Sequence, residues 1–347
     1  MNKKLILLCS IFLLTLFLLC SCSIEGEPPA KQGNALVTGE KRDDASSSAQ
    51  APSSLEAQSI IETTIARTEP VAQNSCSIVK TPDIKAINPN KTFTGLKPLA
   101  LKEFKVCDPK NERHIPTKSI EHSFGIAKDS KPNDISLNAQ KFFDSKKFNA
   151  VCVDTKTTDK KVLYLTFDCG WENGYTGKVL DVLKQKNVPA AFFCTLSNIE
   201  REPELIARMI NEGHIVGNHS DTHPRFSEIS REKMALEIAR CDNFLRVNFG
   251  YSSPFFRFPE GNYSECALDL VGSLGYKSVF WSVAYADWDV NKQKGADYAF
   301  ETVTARLHPG AVILLHSVSP DNAAALPRII DWARENGYEF KSLTQCP

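Results

Sequence analysis

Val162-Leu163-Tyr164-Leu165-Thr166-Phe167-Asp168-Cys169-Gly170 is the stretch that decides the fold. Six residues without a charge, 162–167, run into Asp168, Cys169 and Gly170. A short apolar run bounded by a turn signal reads as a strand buried on both faces, the kind found in parallel sheets. Asp168 then stands where the strand ends. In parallel α/β folds that end is where chemistry collects. The plainer reading is that Asp168 only caps the next turn.

The same pattern recurs downstream. Thr176 opens a helical stretch with Val179, Leu180, Val182 and Leu183 on its buried side, and Pro189 stops it. Residues 190–194 form the second strand. Pro203 suits a first helical turn and Gly213 a C-cap. A third strand spans 214–217, and Met234, Ile238, Cys241 and Leu245 share one face of the helix after it. The fourth strand, 255–258, ends at Pro259. A helix over 267–274 closes on Gly275, a fifth strand covers 278–283, and a helix runs over 296–307. A sixth strand (311–315), a last helix (323–336) closing on Gly337, and a seventh strand (338–343) complete the series. Parallel neighbours need crossovers, so this alternation predicts a parallel sheet covered by helices. Seven units fit a closed or nearly closed (β/α) barrel, with a flat doubly wound sheet as the alternative.

The N-terminus reads differently. Asn2-Lys3-Lys4, an apolar run over 5–19 and Cys20-Ser21-Cys22-Ser23 make 1–22 a secretion signal. Leu19, Ser21 and Cys22 are spaced as in a bacterial lipobox, so Cys22 becomes a lipid-bearing N-terminus that anchors the chain to a membrane. An uncleaved membrane anchor is the alternative, and both place the bulk of the chain outside the cytoplasm. Residues 23–90 are poor in aromatics and rich in Ser, Ala, Pro, Gln and charge, as in Asp43-Asp44-Ala45-Ser46, and read as a disordered tether. Residues 91–120 are either more tether or a loosely packed prefix, leaving 121–346 as the folded domain. With 41 basic and 41 acidic side chains, the chain lacks the excess positive charge of a nucleic-acid binder. Beyond Cys22 eight cysteines follow, with no CxxC spacing, and their connectivity cannot be read from sequence. Cys194 and Cys241 fall on apolar positions and read as core thiols.

Polar groups stand at the strand ends. The first strand gives Asp168 and Cys169, the third His219 and His223, the fourth Arg257 and Glu260, the fifth Asp287 and Trp288, and the sixth His316. The chain has only seven histidines, and three of them lie here. Parallel strands would bring all these groups to one face. His219 and His223, four apart, can aim both imidazoles at one point from a helical turn or a tight turn, which is a metal-pair spacing that Cys169 or Asp168 can complete. Read blandly, Arg257 is a surface ion pair, Asp287 a helix cap, Trp281 and Trp288 wall or core, and His214 and His308 structural or exposed.

Taken in order, Thr166-Phe167-Asp168-Cys169-Gly170, His219-Ser220-Asp221-Thr222-His223, Arg257-Phe258-Pro259-Glu260-Gly261, Asp287-Trp288 and Leu314-Leu315-His316 resemble the five motifs of the polysaccharide deacetylases, the NodB-homology family of carbohydrate esterases. Glu172-Asn173-Gly174-Tyr175-Thr176, Trp281-Ser282-Val283-Ala284 and 316–323 look closest to its spore-cortex branch, the peptidoglycan N-acetylmuramic acid de-N-acetylases of muramic δ-lactam synthesis. The resemblance implies a distorted seven-stranded (β/α) barrel that hydrolyses an N-acetyl group on a sugar. An amide is a poor electrophile, so the reaction needs an activated water and a stabilised oxyanion. A divalent metal lowers the pKa of its water to about 7 and polarises the carbonyl. By the same resemblance Asp168 is the general base and His316 the general acid. Arg257 holds Asp168, Asp287 orients His316, and the backbone N–H of Glu260 donates to the oxyanion.

One position departs from the family pattern. Where the family carries a second, metal-binding Asp, this chain has Cys169. A thiolate would make Cys169-His219-His223 a soft set suited to zinc, and the alternative is that Cys169 is a small neutral filler. The substrate implied is the peptidoglycan glycan strand, with an amidase acting upstream because lactam formation needs the peptide removed. A chitin-like or other acetylated glycan, or a non-catalytic glycan-binding role, are the competing readings.

Overall fold

The computed structural model describes residues 76–157 and 160–347. The expected secretion signal, Cys22 and residues 23–75 of the expected tether lie outside the described residues. Folded structure starts earlier than expected. β1 (Cys76–Val79) pairs antiparallel with β2 (Phe104–Cys107), and the Ile87 N–H donates to Asn248 Oδ1 at 2.8 Å. The tether reading of 23–90 therefore fails over 76–90. The prefix 91–120 is not loose either. Phe104 and Val106 alternate inward along β2 and pack with Phe143, Phe226 and Leu270. Alternation over so few residues, flanked by polar sequence, is a weak signal on paper.

β3 (Ile120–Glu121) is followed by α1 (Asp134–Lys146), capped where Asn133 accepts from the Ser136 N–H. Next come β4 (Ala150–Val151), β5 (Val162–Cys169), α2 (Thr176–Lys186), β6 (Ala190–Cys194), α3 (Leu196–Arg201), α4 (Pro203–Asn211) and β7 (Ile215–Asn218). α5 (Arg231–Phe249) begins at the Ser230 cap and ends on Gly250. β8 (Phe255–Phe256), β9 (Asn262–Tyr263), α6 (Glu265–Ser273), β10 (Lys277–Val279), α7 (Ala296–Thr304), β11 (Ala311–His316), α8 (Pro320–Glu335) and β12 (Glu339–Phe340) complete the order.

The main sheet runs β11-β5-β6-β7-β8-β10-β4, with β12 pairing β5 off this path, and every named pairing within it is parallel. The seventh place on the path belongs to β4, upstream of the opening strand, and not to the C-terminal segment. A two-residue strand gives almost no period to read, which is why β4 escaped notice. The sheet curls so that β11, at one end, meets the chain leaving β10 and β4 at the other. Ser282 N–H donates to Val312 O at 2.9 Å, and Asp154 N–H to Gly310 O at 2.9 Å. Gly310 sits at φ 77°, and a Cβ there would overlap the Asp154 carbonyl, so this seam takes glycine.

Alternation along β5 sorts its side chains. Leu163, Leu165, Phe167 and Cys169 face the helices and pack with Val179, Leu180 and Leu183 of α2. Val162 and Tyr164 face the inside of the curl, with Phe193, Val279 and Val312. Asp168 shares the parity of Val162 and Tyr164 and Cys169 does not, so one step of chain sends them to opposite faces.

Candidate active site

The carboxyl ends of the parallel strands open into a cavity of about 840 Å³ lined by Asp168, His219, His223, Glu260 and His316, with Trp171, Trp281, Tyr285 and Trp288 among its walls. The convergence expected from the strand ends is what the fold delivers. Asp287 lies just behind this wall. Asp168 and His316 are Cα partners in the β5–β11 ladder, so their side chains rise side by side from neighbouring strands.

Arg257 is no surface ion pair, for none of it is exposed. Nη1 donates to Asp168 Oδ1 at 2.7 Å and Nη2 to Thr166 Oγ1 at 2.8 Å, while Nε donates to Val279 O at 2.9 Å. The guanidinium lies 4.2 Å from the centre of the Phe193 ring. A planar fork with this many fixed acceptors leaves Asp168 Oδ1 one orientation. Burial would raise the Asp168 carboxyl, but the Arg257 charge above all, with the neighbouring His219 and His316 imidazoles and the Arg257 hydrogen bond, outweighs it and holds its pKa below the ordinary carboxylate value. Asp168 is therefore ionised at neutral pH.

His316 has an equally fixed partner. Nδ1 donates to Asp287 Oδ1 at 2.7 Å, and the His316 backbone N–H donates to Asp287 Oδ2 at 2.8 Å. Asn322 Nδ2 donates to the same Oδ2 at 2.5 Å, which completes the carboxylate's buried hydrogen bonding. Asp287 lies outside every helix and is not a helix cap. Burial works to lower the His316 pKa, but Asp287, its hydrogen bond and Asp168 prevail and raise it. Since Nδ1 faces a carboxylate, Nε2 is the nitrogen left to exchange a proton with a ligand. Trp288 stands edge-on to this ring, centroids 5.9 Å apart, and is half exposed.

His219 and His223 sit in an irregular loop after β7, a turn rather than a helix. The loop is tied down by Ser220 N–H to Asn218 Oδ1 at 2.9 Å, His223 N–H to Ser220 Oγ at 3.0 Å, and Thr222 N–H to the buried Glu237 at 2.7 Å. Ser220 and His223 both take positive φ, 71° and 58°. The imidazole centroids are 4.9 Å apart. His219 Nδ1 faces Arg257 O at 2.9 Å and must donate, which leaves the Nε2 lone pair toward the cavity, 3.6 Å from Asp168 Oδ2. Burial holds the His219 pKa down, to about 4, against the pull of Asp168, so the ring is neutral and able to ligate. Two imidazoles facing one cavity are donors of the type a catalytic zinc takes.

Cys169 does not join them. Its side chain lies on the helix-facing side of β5, with Sγ 3.3 Å from Ser317 Oγ, and it is absent from the cavity wall. Among the described residues no group of three or more His, Cys, Asp and Glu is assembled to hold an ion. The expected Cys169-His219-His223 set is thus not assembled, and of its three members only the two imidazoles face the cavity.

Glu260 stands in a single tight turn, Pro259–Gly261, at φ 57° and ψ 6°. Its carboxylate is held by Arg225 Nη1 at 2.8 Å, and Arg225 also pairs with Glu121 and Glu228. Gly261 follows at φ 67°, where a Cβ would lie 2.8 Å from the Trp281 ring and 3.2 Å from His122. Sequence reading missed His122, Ser123 and Phe124, which bring the start of the expected 121–346 domain into the cavity wall. His122 Nε2 contacts Trp281 O at 2.7 Å, and the His122 N–H donates to Gly261 O at 2.9 Å. Nothing near His122 in the sequence marks it, because β3 is two residues long and its partner β9 lies far downstream. His214 and His308 are buried away from the cavity, in keeping with structural roles.

Comparison with known proteins agrees with this geometry. The polysaccharide deacetylase family matches residues 155–279. Peptidoglycan-N-acetylmuramic acid deacetylase PdaA of Bacillus subtilis is 39% identical over 230 residues, 66% of this chain and 86% of that protein. A peptidoglycan-N-acetylglucosamine deacetylase of Bacillus cereus is 34% identical over 189 residues, 53% of this chain and 68% of that protein. The solved structure of Bacillus subtilis PdaA, a family 4 carbohydrate esterase, superposes with a TM-score of 0.63 at 39% identity, covering 67% of this chain and 98% of that one. Esterases of this kind are generally metal-dependent. The chain belongs to the polysaccharide deacetylase family and is a peptidoglycan N-deacetylase, a hydrolase.

Proposed function

We propose that the chain removes the acetyl group from N-acetylmuramic acid in peptidoglycan glycan strands whose peptides an amidase has already cut away. The freed amine and the lactyl carboxylate then close a muramic δ-lactam, as in spore cortex. The observation that carries the chemistry is the side-by-side placing of Asp168 and His316 in one ladder, each with its own buried partner. What favours muramic acid over glucosamine is the 39% identity to a relative named for that sugar, against 34% for one named for glucosamine.

Asp168 takes the proton of the attacking water. Arg257 keeps it ionised and pointed, with Oδ2 left free. His316 donates through Nε2 to the departing amine, whose expulsion as an anion is too costly. The backbone N–H of Glu260, set by the turn at Pro259–Gly261, donates to the developing oxyanion. His219 and His223 would hold a zinc ion, imidazole being a good zinc donor. When bound, such an ion supplies Lewis-acid polarisation and a more acidic water. Trp171 and Trp288, both substantially exposed at the rim, offer apolar faces for sugar rings.

The signal and lipid-bearing Cys22 would place the enzyme on the outer face of the cytoplasmic membrane, against its polymer. Acetate release from peptide-stripped glycan strands, from intact peptidoglycan and from chitooligosaccharide tests the substrate. Turnover on the stripped strands, with deacetylated muramic acid by mass spectrometry, is expected. Preferred turnover of chitooligosaccharide would contradict it, and acetate from none of the three would favour a non-catalytic glycan binder.

A further inference from the structure

Of the cysteines among the described residues, Cys152, Cys169, Cys194, Cys241, Cys266 and Cys346 are buried. The two that solvent reaches are Cys76 and Cys107, and these stand directly opposite each other in the β1–β2 ladder. Their sulfurs are in contact at 2.7 Å. Opposed residues of an antiparallel pair bring their Cα atoms to about 4.5–5.5 Å, inside the span a disulfide bridges without moving the backbone. We propose that Cys76 and Cys107 form a disulfide that fastens the N-terminal strand to the deacetylase domain at the point where the upstream chain enters it.

The two strands are unequally held. β2 is anchored by buried Phe104 and Val106, and by Arg231 Nη2 donating to Cys107 O at 3.1 Å. β1 alternates exposed and half-buried residues, with Ser77 Oγ donating to Glu232 at 3.0 Å. A ladder of two short strands is marginal alone. Cys76 is the first residue of β1, so any pull from the chain before it opens the ladder at that pair first. A bond there ties the weak strand to the anchored one at the end that would peel. The other six cysteines among the described residues are shut away from a soluble oxidant by their burial, which keeps them from competing.

The step balances by thiol–disulfide exchange. The thiolate of one cysteine attacks a disulfide oxidant, such as oxidised glutathione or an oxidised dithiol oxidoreductase, and displaces one thiolate. The second cysteine attacks the mixed disulfide and displaces the other. Two protons and two electrons pass from the pair to the oxidant. Formation in the cell rests on the extracytoplasmic placement proposed above, since that is where disulfides persist.

The test uses the reduced, purified full chain in a buffer of oxidised and reduced glutathione, alkylated and digested without reductant. The expected product is a Cys76–Cys107 linked peptide pair, with the buried six alkylated only after unfolding. Reduction should lower the thermal midpoint by several degrees, and Cys107→Ser should abolish both the linked pair and that dependence on reductant. Deacetylation should be the same in Cys107→Ser and the unaltered chain, so the bond and the enzymatic reading fail separately. Separate alkylation or separate glutathione adducts at Cys76 and Cys107, a link from either to another cysteine, or a midpoint indifferent to reductant would overturn the proposal.

Discussion

His316 and Asp168 are Cα partners on adjacent parallel strands, and each carries its own buried counter-group, Asp287 behind the imidazole and Arg257 behind the carboxylate. Strand neighbours lie about 4.8 Å apart, so an acid and a base are set on either side of one reacting atom. The two counter-groups push the pair in opposite senses, keeping the carboxylate ionised and the imidazolium protonated over the same pH range.

Removing the counter-group of His316 should narrow that range. Asp287 raises the His316 pKa above the ordinary 6.5, so the alkaline limb of kcat against pH should stand above that value. Asp287→Asn should move this limb to lower pH, and an unmoved limb would mean His316 is not the titrating acid. The same pair should show in stability. The folded state holds the His316 proton more tightly than the unfolded chain. Its contribution is therefore full below the ordinary histidine value and lost as pH rises through the folded one. Denaturant midpoints across that window, with and without Asp287→Asn, read it out.

Arg257 supports the fold as well as the site. Arg257→Met leaves the Asp168 carboxylate buried without its partner, a change that costs about 3–5 kcal/mol when one member of a buried pair is removed. Urea denaturation should show a loss of that order, along with lost turnover. A neutral result would mean the pair is better hydrated than its burial implies.

Metal content should not depend on the cysteine beside the base. Cys169 Sγ faces Ser317 on the helix side of β5, so Cys169→Ser should bind zinc as the unaltered chain does. His223→Ala should bind it more weakly, by elemental analysis after dialysis. Loss of metal in Cys169→Ser would show that the strand end rearranges when an ion binds.

The turn that presents the Glu260 N–H depends on its glycine. Gly261→Ala must take φ 67° and push a methyl against Trp281 and His122. The left-handed backbone alone costs about 1–2 kcal/mol. Thermal unfolding should show that loss, and kcat should fall more than KM rises, because the donor serves the transition state. A fall confined to KM would place the turn in substrate binding.

How far the sequence could be read follows from period and length. β5, β6 and β11 are apolar runs of five residues or more, and all were legible, as was the arrival of their terminal residues at one cavity. Asp168, Arg257 and His316 were legible for the same reason: they are polar groups where a buried strand stops, whereas Asp287 lies in the irregular stretch after β10, which ends at Val279 rather than at the expected residue 283. β4 and β3 are two residues long and carry no period, so the seventh place in the sheet and the wall residue His122 were not. Cys169 misled because its motif position says metal while strand alternation says core. The parity of Val162, Tyr164, Thr166 and Asp168 could have decided it, had the strand been carried through residue 169.

The facing acid and base are tested most directly by acetate release from peptide-stripped glycan strands with Asp168→Asn and His316→Ala, each checked for native circular dichroism. Both should retain the fold and lose about 10²–10⁴-fold in kcat, the usual worth of a positioned proton donor or acceptor. Full turnover in either folded variant would contradict the assignment of that residue.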